Sequence, residues 1–357
     1  MKQRNSLVRS LPAGPLDVVG DVHGEWAALK ELLLQLGYDA QGCHPQERKL
    51  VFVGDLCDRG PNSVQVIQTV RAMVEAGNAF VVLGNHELNL LRDDAKDGSG
   101  WFFQERVERD ERYQPFAYPS ESERLEIVAF LAGLPLVLER VDLRIVHAAW
   151  QGPDIARVRA VQGVSASGLF VQYEAALNET LRADGSYGRY REAVASHGEA
   201  LEDPGFAMPF LDAIAVHDEA SQLGNAVKVL TSGVERRVEA PFFSNRKWRF
   251  VERVGWWDTY QDEAAVLVGH YWRSAVPCDR TVVGKGDKDL FDGIDPGAWH
   301  GQRSNVFCVD FSVGGRWQER HANKPPGSTY KLAAMRWPER ELVFDTGERL
   351  MTTGFGG

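Results

Sequence analysis

The chain has 357 residues, a hydrophobic fraction of 44% and a formal net charge of −10. Its length allows one large domain with an elaboration. The negative net charge argues against strong non-specific binding of nucleic acid by the whole molecule, although it leaves room for a local basic cleft. No apolar run approaches the roughly 18 residues that a membrane-spanning helix needs, so we expect no membrane association.

The cysteines and the N-terminus indicate the compartment. Cys43, Cys57, Cys278 and Cys308 are far apart and form no CxxC pair. This spacing argues against both a zinc ribbon and a secreted disulfide framework. The N-terminal segment is basic but lacks the apolar stretch of an export signal. We therefore expect a cytoplasmic protein.

The first part of the chain repeats one pattern. Apolar runs at 16–19, 49–53 and 79–83 predict strands, and each run is followed by a tight polar loop and then by a helix-period segment. Gly37 and Gly77 stand where the first two helices should end. This order predicts an α/β fold, in which ligands bind beyond the carboxyl ends of the strands.

The middle of the chain changes from this alternation to helices. A helix is predicted over 122–135, followed by strands at 136–140 and 143–147, the second of which ends on His147. From 151 to 233 the apolar residues follow the helical period without a strong strand signal. We interpret 151–233 as a helical insertion or cap.

Strand patterns return in the last part of the chain. A strand over 264–268 ends in GHYW, and NVFCVDF predicts another. A hairpin is predicted over 331–344, with its turn at 338–340. The basic segment 244–254, SNRKWRFVERV, fits a strand pair with a solvated face at least as well as a binding surface.

Six side chains in the polar loops are of the kinds that bind metal ions. Two carboxylates, an amide and three imidazoles follow predicted strands: Asp21, His23, Asp55, Asn85, His147 and His270. A mixed nitrogen and oxygen set suits Mn, Fe, Zn or Co better than Ca. Two ions about 3.5–4 Å apart can hold a hydroxide between them and neutralise a phosphoryl group. Asp55 could bridge two such ions.

Three neighbouring residues suit the rest of phosphoryl chemistry. Arg59 has the planar fork that matches phosphate oxygens. His86 could protonate a leaving oxygen, with Asp58 orienting it and raising its pKa. A single histidine after a strand is usually a packing or surface residue, and Asp or Asn in a turn is common for backbone reasons. Five successive strand-end loops that each carry a ligand-type side chain are much harder to explain in this way.

These motifs resemble those of a known family. GDVHG, GDLCDRG, GNHE, the strand-end His147 and the GH at 269–270 are similar to the signature of the calcineurin-like metallophosphoesterases. The DRG and GNHE segments resemble its phosphoprotein-phosphatase branch, which includes serine/threonine phosphatases. Other segments resemble the phosphatase module of bacterial polynucleotide kinase/phosphatase and bacterial diadenosine tetraphosphatase.

The resemblance implies a four-layer α/β/β/α sandwich, in which 1–357 is one metallophosphoesterase domain with the helical insertion inside it. It implies one metal ion on Asp21, His23 and Asp55, and a second on Asp55, Asn85, His147 and His270. Arg59 is implied in phosphate binding, for which we also expect Asn85. His86 with Asp58 is implied in leaving-group protonation. The cofactors would be two divalent transition-metal ions, with Mn²⁺ the first choice and Fe, Zn or Co as alternatives.

The sequence departs from the family in two places. His147 is followed by Ala-Ala-Trp, where the eukaryotic protein phosphatases usually carry a glycine pair, and the gap from His147 to His270 is longer than theirs. A second phosphate-binding arginine is expected in that gap. Arg236 and Arg237 are the candidates.

These observations predict a metal-dependent phosphoester hydrolase that uses a metal-bridging hydroxide. Phosphomonoesters are the expected substrates, in a phosphorylated small molecule, a nucleotide or a phosphoprotein. A bis(5'-nucleosyl)-tetraphosphatase-like hydrolase of dinucleoside polyphosphates is the alternative enzyme. A non-catalytic metal or nucleotide sensor is the alternative of another class, although it would not need His86 as an acid.

Four tryptophans near His270 leave two interpretations open. The first interpretation is that these side chains pack in the core, as aromatic residues in strands usually do. The four residues are Trp248, Trp256, Trp257 and Trp272. One or two of them could instead line the cleft and stack on an aromatic part of the substrate.

Overall fold

The computed structural model describes residues 6–244, 246–276 and 289–356. Its strands are β1 (Val8–Ser10), β2 (Leu16–Val19), β3 (Lys49–Phe52), β4 (Ala79–Val81), β5 (Val137–Glu139), β6 (Leu143–Val146), β7 (Glu235–Ser244), β8 (Lys247–Arg253), β9 (Ala265–Val268), β10 (Val306–Cys308), β11 (Ala333–Trp337), β12 (Glu341–Phe344) and β13 (Arg349–Met351). Its helices are α1 (Trp26–Leu36), α2 (Ser63–Glu75), α3 (Asn85–Leu91), α4 (Glu121–Ala132), α5 (Gly152–Arg159), α6 (Ala166–Ala183), α7 (Ser186–His197), α8 (Asp212–Leu223), α9 (Ala226–Ser232) and α10 (Arg316–His321).

Two mixed sheets form the centre of the molecule. One has six strands in the order β13-β12-β11-β2-β3-β4, and the other has five in the order β1-β5-β6-β9-β10. β7 and β8 form a separate antiparallel hairpin. Most of the predicted strands correspond to strands of the two sheets. They are the strands predicted over 16–19, 49–53, 79–83, 136–140, 143–147 and 264–268, and the hairpin predicted to turn at 338–340.

The central strands of the two sheets are buried on both faces, which explains their nearly continuous apolar sequences. Leu16 and Val18 of β2 belong to the core between the two sheets, together with Leu267 of β9. Val19 belongs to the core between a sheet and its helices, where Leu29 and Leu32 of α1 pack. Helices outside two packed sheets give the four-layer α/β fold that the sequence predicts.

The topology brings the polar loops to one edge of the sandwich. β2, β3 and β4 are neighbouring parallel strands, so their carboxyl ends meet. β6 and β9 are parallel neighbours in the other sheet. The loops that follow these five strands carry the six candidate ligands.

Residues between β6 and β9 form a helical layer. α5 to α9 span 152–232, within the segment predicted to be helical. α8 and α9 are separate helices, because the Asn225 side chain accepts hydrogen bonds from the backbone N–H groups of Val227 and Lys228 and starts a new helix. No helix in the described ranges is long and apolar enough to cross a membrane.

The elaboration extends past residue 233. The β7–β8 hairpin packs on α8, where Phe250 joins a small apolar core with Ile214 and Ala215. The segment 244–254 is mostly strand β8, as one of its two interpretations predicted. Strand β1 was not predicted, because three residues of mixed polarity carry no recognisable alternation.

Candidate metal centre

Asp55 lies at the junction of two groups of candidate ligand atoms. His23, Asp55 and His86 form one group, and Asp55, His147 and His270 form the other. Within each group the ligand atoms lie within 4.8 Å of one another, and all five residues are buried. The structure therefore brings together side chains from loops that are distant in sequence.

The Asp55 carboxylate faces three imidazoles. Its Oδ2 lies 3.3 Å from Nε2 of His147, 3.8 Å from Nε2 of His23 and 3.9 Å from Nε2 of His86. Its Oδ1 accepts a hydrogen bond of 3.0 Å from the backbone N–H of His86. Burial alone would raise the pKa of Asp55, but the facing histidines, His147 first, hold it well below its ordinary value. The Asp55 side chain is therefore an anion that two metal ions could share.

Asn85 lies between His147 and His270. Its Oδ1 is 3.2 Å from Nε2 of His147 and 2.9 Å from Nδ1 of His270. Nδ1 of His147 lies 2.8 Å from the carbonyl oxygen of Val53, which can only accept, so Nδ1 carries hydrogen and Nε2 is the ring atom that faces Asn85. A cation at this position could replace the proton on Nε2 and would also be within reach of the Asn85 oxygen. Burial opposes the charge, but mainly Asp55 raises the pKa of His147 to about 10.

Two further ligand-type atoms of the candidate ligands are buried without a hydrogen-bond partner among the described residues. They are Oδ1 of Asp21 and Nε2 of His270. Oδ2 of Asp21 accepts from the His270 backbone N–H at 3.0 Å and lies 4.0 Å from Nε2 of His23. Burial, followed by the charge of Asp310, raises the pKa of Asp21. A carboxylate and an imidazole held in this way fit a metal ion, which would satisfy both.

The glycines of the motifs make room for these carboxylates. A Cβ at Gly269 would lie 1.9 Å from Oδ1 of Asp21, and one at Gly84 would lie 2.2 Å from Oδ1 of Asp55. Neither position tolerates a side chain without moving a ligand. The G of GNHE and the G before His270 are therefore required by close packing around the centre.

Backbone strain is concentrated at the same place. Six non-glycine residues of the site have a positive φ, a region that L-residues rarely adopt. They are His23 (45°), Asp55 (48°), Asp58 (72°), Arg59 (67°), His270 (70°) and Trp272 (54°). Strain of this kind persists where the surrounding structure imposes a functional geometry.

His86 is held by Asp58 and Trp101. Its Nδ1 lies 2.6 Å from Oδ2 of Asp58, and the Trp101 indole N–H donates to Oδ1 of the same carboxylate at 2.6 Å. Burial disfavours the charged imidazole, but the carboxylates of Asp55 and Asp58 outweigh it and raise the pKa of His86. The remaining nitrogen, Nε2, is oriented toward the centre. The dyad that the sequence predicted is therefore assembled, and Trp101 was missed.

Arg59 lies across the mouth of the centre. Its Nη1 is 2.9 Å from Nε2 of His23, and its guanidinium carbon lies 4.8 Å above the ring of Trp272. Nδ1 of His23 contacts the Cys57 carbonyl at 3.0 Å, so Nε2 is the acceptor. Burial and then the charge of Arg59 lower the pKa of His23 well below its ordinary value. The Arg59 guanidinium could thus bind an anion at the centre.

Glu87, the last residue of GNHE, was not singled out from the sequence. Its fully buried carboxylate accepts hydrogen bonds from the backbone N–H groups of Asp55 at 2.9 Å, Leu56 at 2.7 Å, Cys57 at 3.3 Å and Gly84 at 3.0 Å. The side chain therefore fixes the turn that presents Asp55. A capping glutamate at the third helical position would have been the sequence signal.

Arg236 and Arg237 are not at the centre, which corrects the expectation for the second arginine. Arg236 is 61% exposed and pairs with Glu252 at 2.9 Å. Arg237 pairs with Glu219 at 3.0 Å. Arg253 instead lines the cavity beside the centre, and after burial its charge is the next cause that lowers the pKa of His270. Arg253 ends strand β8 in the basic segment 244–254, which has no motif from which to predict the arginine that faces the centre.

The centre opens into a cavity of about 770 Å³ between the sandwich and the elaboration. Its lining includes Arg59, Asn85, His86, His270 and Trp272. Trp256 and Trp257 are buried in the core, and Trp248 packs against the core of the elaboration. Of the four tryptophans, Trp272 is therefore the one that reaches the cavity, while the other three follow the packing interpretation. Asp310 supports this wall, since its Oδ2 accepts from the Trp272 backbone N–H at 2.9 Å.

Two further observations concern the thiols. Cys43, Cys57 and Cys308 are free. Cys278 lies outside the described residues. Burial, followed by nearby carboxylates such as Asp58, raises the pKa of Cys57 well above its ordinary value, so this thiol is not poised as a nucleophile.

Known proteins resemble part of this chain. An asymmetrical bis(5'-nucleosyl)-tetraphosphatase PrpE from Geobacillus sp. strain WCH70 is 44% identical over 80 residues, 22% of this chain and 33% of that protein. A symmetrical bis(5'-nucleosyl)-tetraphosphatase from Aromatoleum aromaticum strain EbN1 is 34% identical over 151 residues, 41% of this chain and 50% of that protein. The chain thus spans between a third and a half of the length of these relatives.

This chain also aligns with the solved structure of a cold-active protein tyrosine phosphatase from a psychrophilic Shewanella species. The alignment covers 99% of this chain and 84% of the phosphatase chain, with 14% sequence identity and a TM-score of 0.48. The calcineurin-like phosphoesterase family matches residues 14–156. That segment contains the loops of Asp21, Asp55, Asn85 and His147 but ends before His270. Residues 14–156 are therefore similar to the calcineurin-like phosphoesterase family.

Proposed function

We propose that this protein is a metal-dependent hydrolase of phosphoesters. The observation that carries the proposal is the Asp55 carboxylate, which belongs to both groups of ligand atoms and lies beneath a cavity lined by His86 and Arg59. The unpartnered Oδ1 of Asp21 and Nε2 of His270 add support, because buried polar atoms of this kind normally have a partner.

The proposed ligands are the six predicted from the sequence. Asp21, His23 and Asp55 would hold one divalent ion, and Asp55, Asn85, His147 and His270 a second. We propose Mn²⁺ as the native metal, with Fe, Zn and Co as alternatives, since nitrogen and oxygen ligands are mixed. Bound ions of this kind lower the pKa of water and neutralise charge on a phosphoryl group.

The chain's own residues would perform the remaining steps. Arg59 and Arg253 would bind the non-bridging phosphate oxygens, with the Asn85 amide also within reach of the phosphate. His86 would carry a proton on Nε2 and give it to the leaving oxygen, while Asp58 fixes the ring and favours the protonated form. This hydrogen-bonded pair is our reason for preferring an enzyme to a non-catalytic sensor.

Phosphomonoesters are the substrates we propose first, in small molecules, nucleotides or phosphoproteins. The helices of 151–233 and the β7–β8 hairpin stand beside the cavity, so we propose that they act as a cap that restricts bulky phosphoproteins. We also propose a cytoplasmic location, with which the free thiols are compatible.

The second candidate activity is hydrolysis of dinucleoside polyphosphates. The names of two relatives and the cavity position of Trp272 favour it, because an indole beside the centre can stack on a nucleobase. Its ring is covered on one side by the Arg59 guanidinium, which leaves less of it for a base.

A substrate panel tests the proposal. Purified protein with added manganese would be offered an aryl phosphate, an alkyl phosphate, a phosphopeptide and dinucleoside tetraphosphate. We expect the aryl phosphate to be hydrolysed readily and the phosphopeptide more slowly. If the tetraphosphate gives a kcat/KM at least ten times that of every monoester, and Trp272→Ala removes the preference, the second candidate replaces the first. Hydrolysis of none of these compounds would overturn the proposed function.

A further inference from the structure

Strand β8 places two arginines on the wall of the cavity. Successive side chains of a strand point to opposite faces. Trp248 and Phe250 pack with the helical elaboration, whereas Arg249, Val251 and Arg253 line the cavity. The two arginines are four residues apart, so their Cα atoms are separated by roughly 13 Å at about 3.3 Å per residue.

The two arginines lie in different surroundings. Arg253 ends β8 and lines the part of the cavity that is close enough for its charge to act on His270. Arg249 lies nearer the β7–β8 turn than Arg253, and Arg246 and Lys96 also line the cavity. The turn residue Arg246 is exposed. After burial, the charges of Arg249 and Lys96 are among the causes that lower the pKa of Lys247, which directly follows Arg246. Two arginines and a lysine therefore lie near one another at the turn end of β8.

The carboxylates that contact Arg249 and Lys96 hold these two cations loosely. Arg249 lies 3.7 Å from Glu235, which is longer than a direct hydrogen bond. Lys96 pairs with Asp94 at 2.8 Å, but its side chain is 54% exposed, so the pair is worth little. A guanidinium with a distant partner keeps donors available for a second anion.

The side chains that line the cavity carry more positive than negative charge, which also favours anion binding. Eight Lys and Arg side chains of the described chain line it, against five Asp and Glu side chains. The full chain has a net charge of −10. A cavity with excess positive charge in an acidic protein concentrates anions inside it.

We propose that Arg249, with Arg246 and Lys96, forms a distal anion subsite that binds a second phosphate or carboxylate group of the substrate. The phosphoester to be cleaved would lie at the metal centre, between Arg59 and Arg253, so the inference rests on the proposed function. The preferred substrate would then carry two anionic groups held apart by a spacer, which a simple monoester lacks.

A spacer series tests this subsite. The substrates are an alkyl monophosphate and alkane-α,ω-diyl bisphosphates of increasing length, with kcat/KM measured from phosphate release. A carboxylate-terminated alkyl phosphate and a methyl triphosphate show whether the second anion is a carboxylate, a separate phosphate or part of a phosphate chain. Each is compared in the wild type, in Arg249→Ala and in Arg236→Ala. Arg236 is the matched control, because it lies on the same hairpin outside the cavity lining.

We expect one range of spacer lengths to give a kcat/KM at least tenfold above that of the monophosphate. Arg249→Ala should remove that advantage and leave the monophosphate unchanged, and Arg236→Ala should change neither. Raising the salt concentration should reduce the advantage in the wild type. If Arg249→Ala lowers the unfolding midpoint, the exposed Arg246→Ala gives the same comparison with a smaller expected loss.

Equal kcat/KM values for the monophosphate and for every two-anion substrate would overturn the subsite, although the proposed function would stand. A wild-type advantage that persists in both Arg249→Ala and Arg246→Ala would overturn it as well. Equal losses on the monophosphate and the bisphosphates would show that Arg249 only supports the hairpin. If the wild type hydrolyses no substrate of the series, it is the proposed function that fails.

Discussion

Nδ1 of His86 lies 2.6 Å from Oδ2 of Asp58, and the other oxygen of that carboxylate is held by the Trp101 indole at 2.6 Å. The imidazole is thus fixed in one orientation with Nε2 toward the metal centre. A histidine in this position can hold a proton at the atom nearest a leaving group. We propose that this pair is what distinguishes the site from one that only binds metal.

Replacing His86 by asparagine tests the acid role. We expect His86→Asn to keep its metal and to lose roughly 100-fold to 10,000-fold in kcat on an alkyl phosphate, the usual worth of a general acid. The loss should shrink on an aryl phosphate, because a good leaving group needs little protonation. Steady-state kinetics on both substrates measure this. Equal losses on the two would contradict the role.

Replacing Asp58 by asparagine should give a milder form of the same defect. The amide can still contact His86 but removes the negative charge that raises the pKa of His86. We expect a smaller fall in kcat than in His86→Asn, again greater on alkyl than on aryl phosphates. Metal content serves as the control, and an unchanged ratio between the two substrates would argue against the dyad.

Replacing Glu87 by glutamine should loosen the turn that presents Asp55. The carboxylate accepts from four backbone N–H groups, whereas a glutamine amide has one acceptor oxygen and brings donors of its own. We expect the free energy of unfolding to fall by about 1–3 kcal/mol. Chemical denaturation measures it. Glu126→Gln, an exposed change on α4, should stay within about 0.5 kcal/mol of the wild type.

Much of the fold could be predicted from the sequence, for physical reasons. The strand at 16–19 was predicted with its observed bounds, because both faces are covered and the run is continuously apolar. The candidate ligands were predicted because parallel strands end at one edge of a sheet, so residues far apart in sequence meet there. The proximity of Asp21 and His270 follows from topology alone.

The residues that escaped prediction depend on packing or on register. Arg253 lies on a hairpin whose pairing shifts between Arg237 and Phe242, so its direction could not be derived from spacing. Trp101 contacts Asp58 from a segment of short turns that follows α3 and has no periodic pattern. The break between α8 and α9 needed the capping geometry of Asn225.

Elemental analysis of metal content, together with chelator inhibition, tests the central claim most directly. The proteins compared are the wild type, Asp55→Asn and Asn85→Ala. Asp55 is proposed to neutralise both ions, whereas Asn85 gives a neutral oxygen to one. We predict up to two transition-metal ions per chain and chelator-sensitive hydrolysis in the wild type, a greater loss of metal in Asp55→Asn, and a smaller one in Asn85→Ala. A wild-type protein that holds no metal and hydrolyses phosphoesters in the presence of chelator would contradict the account.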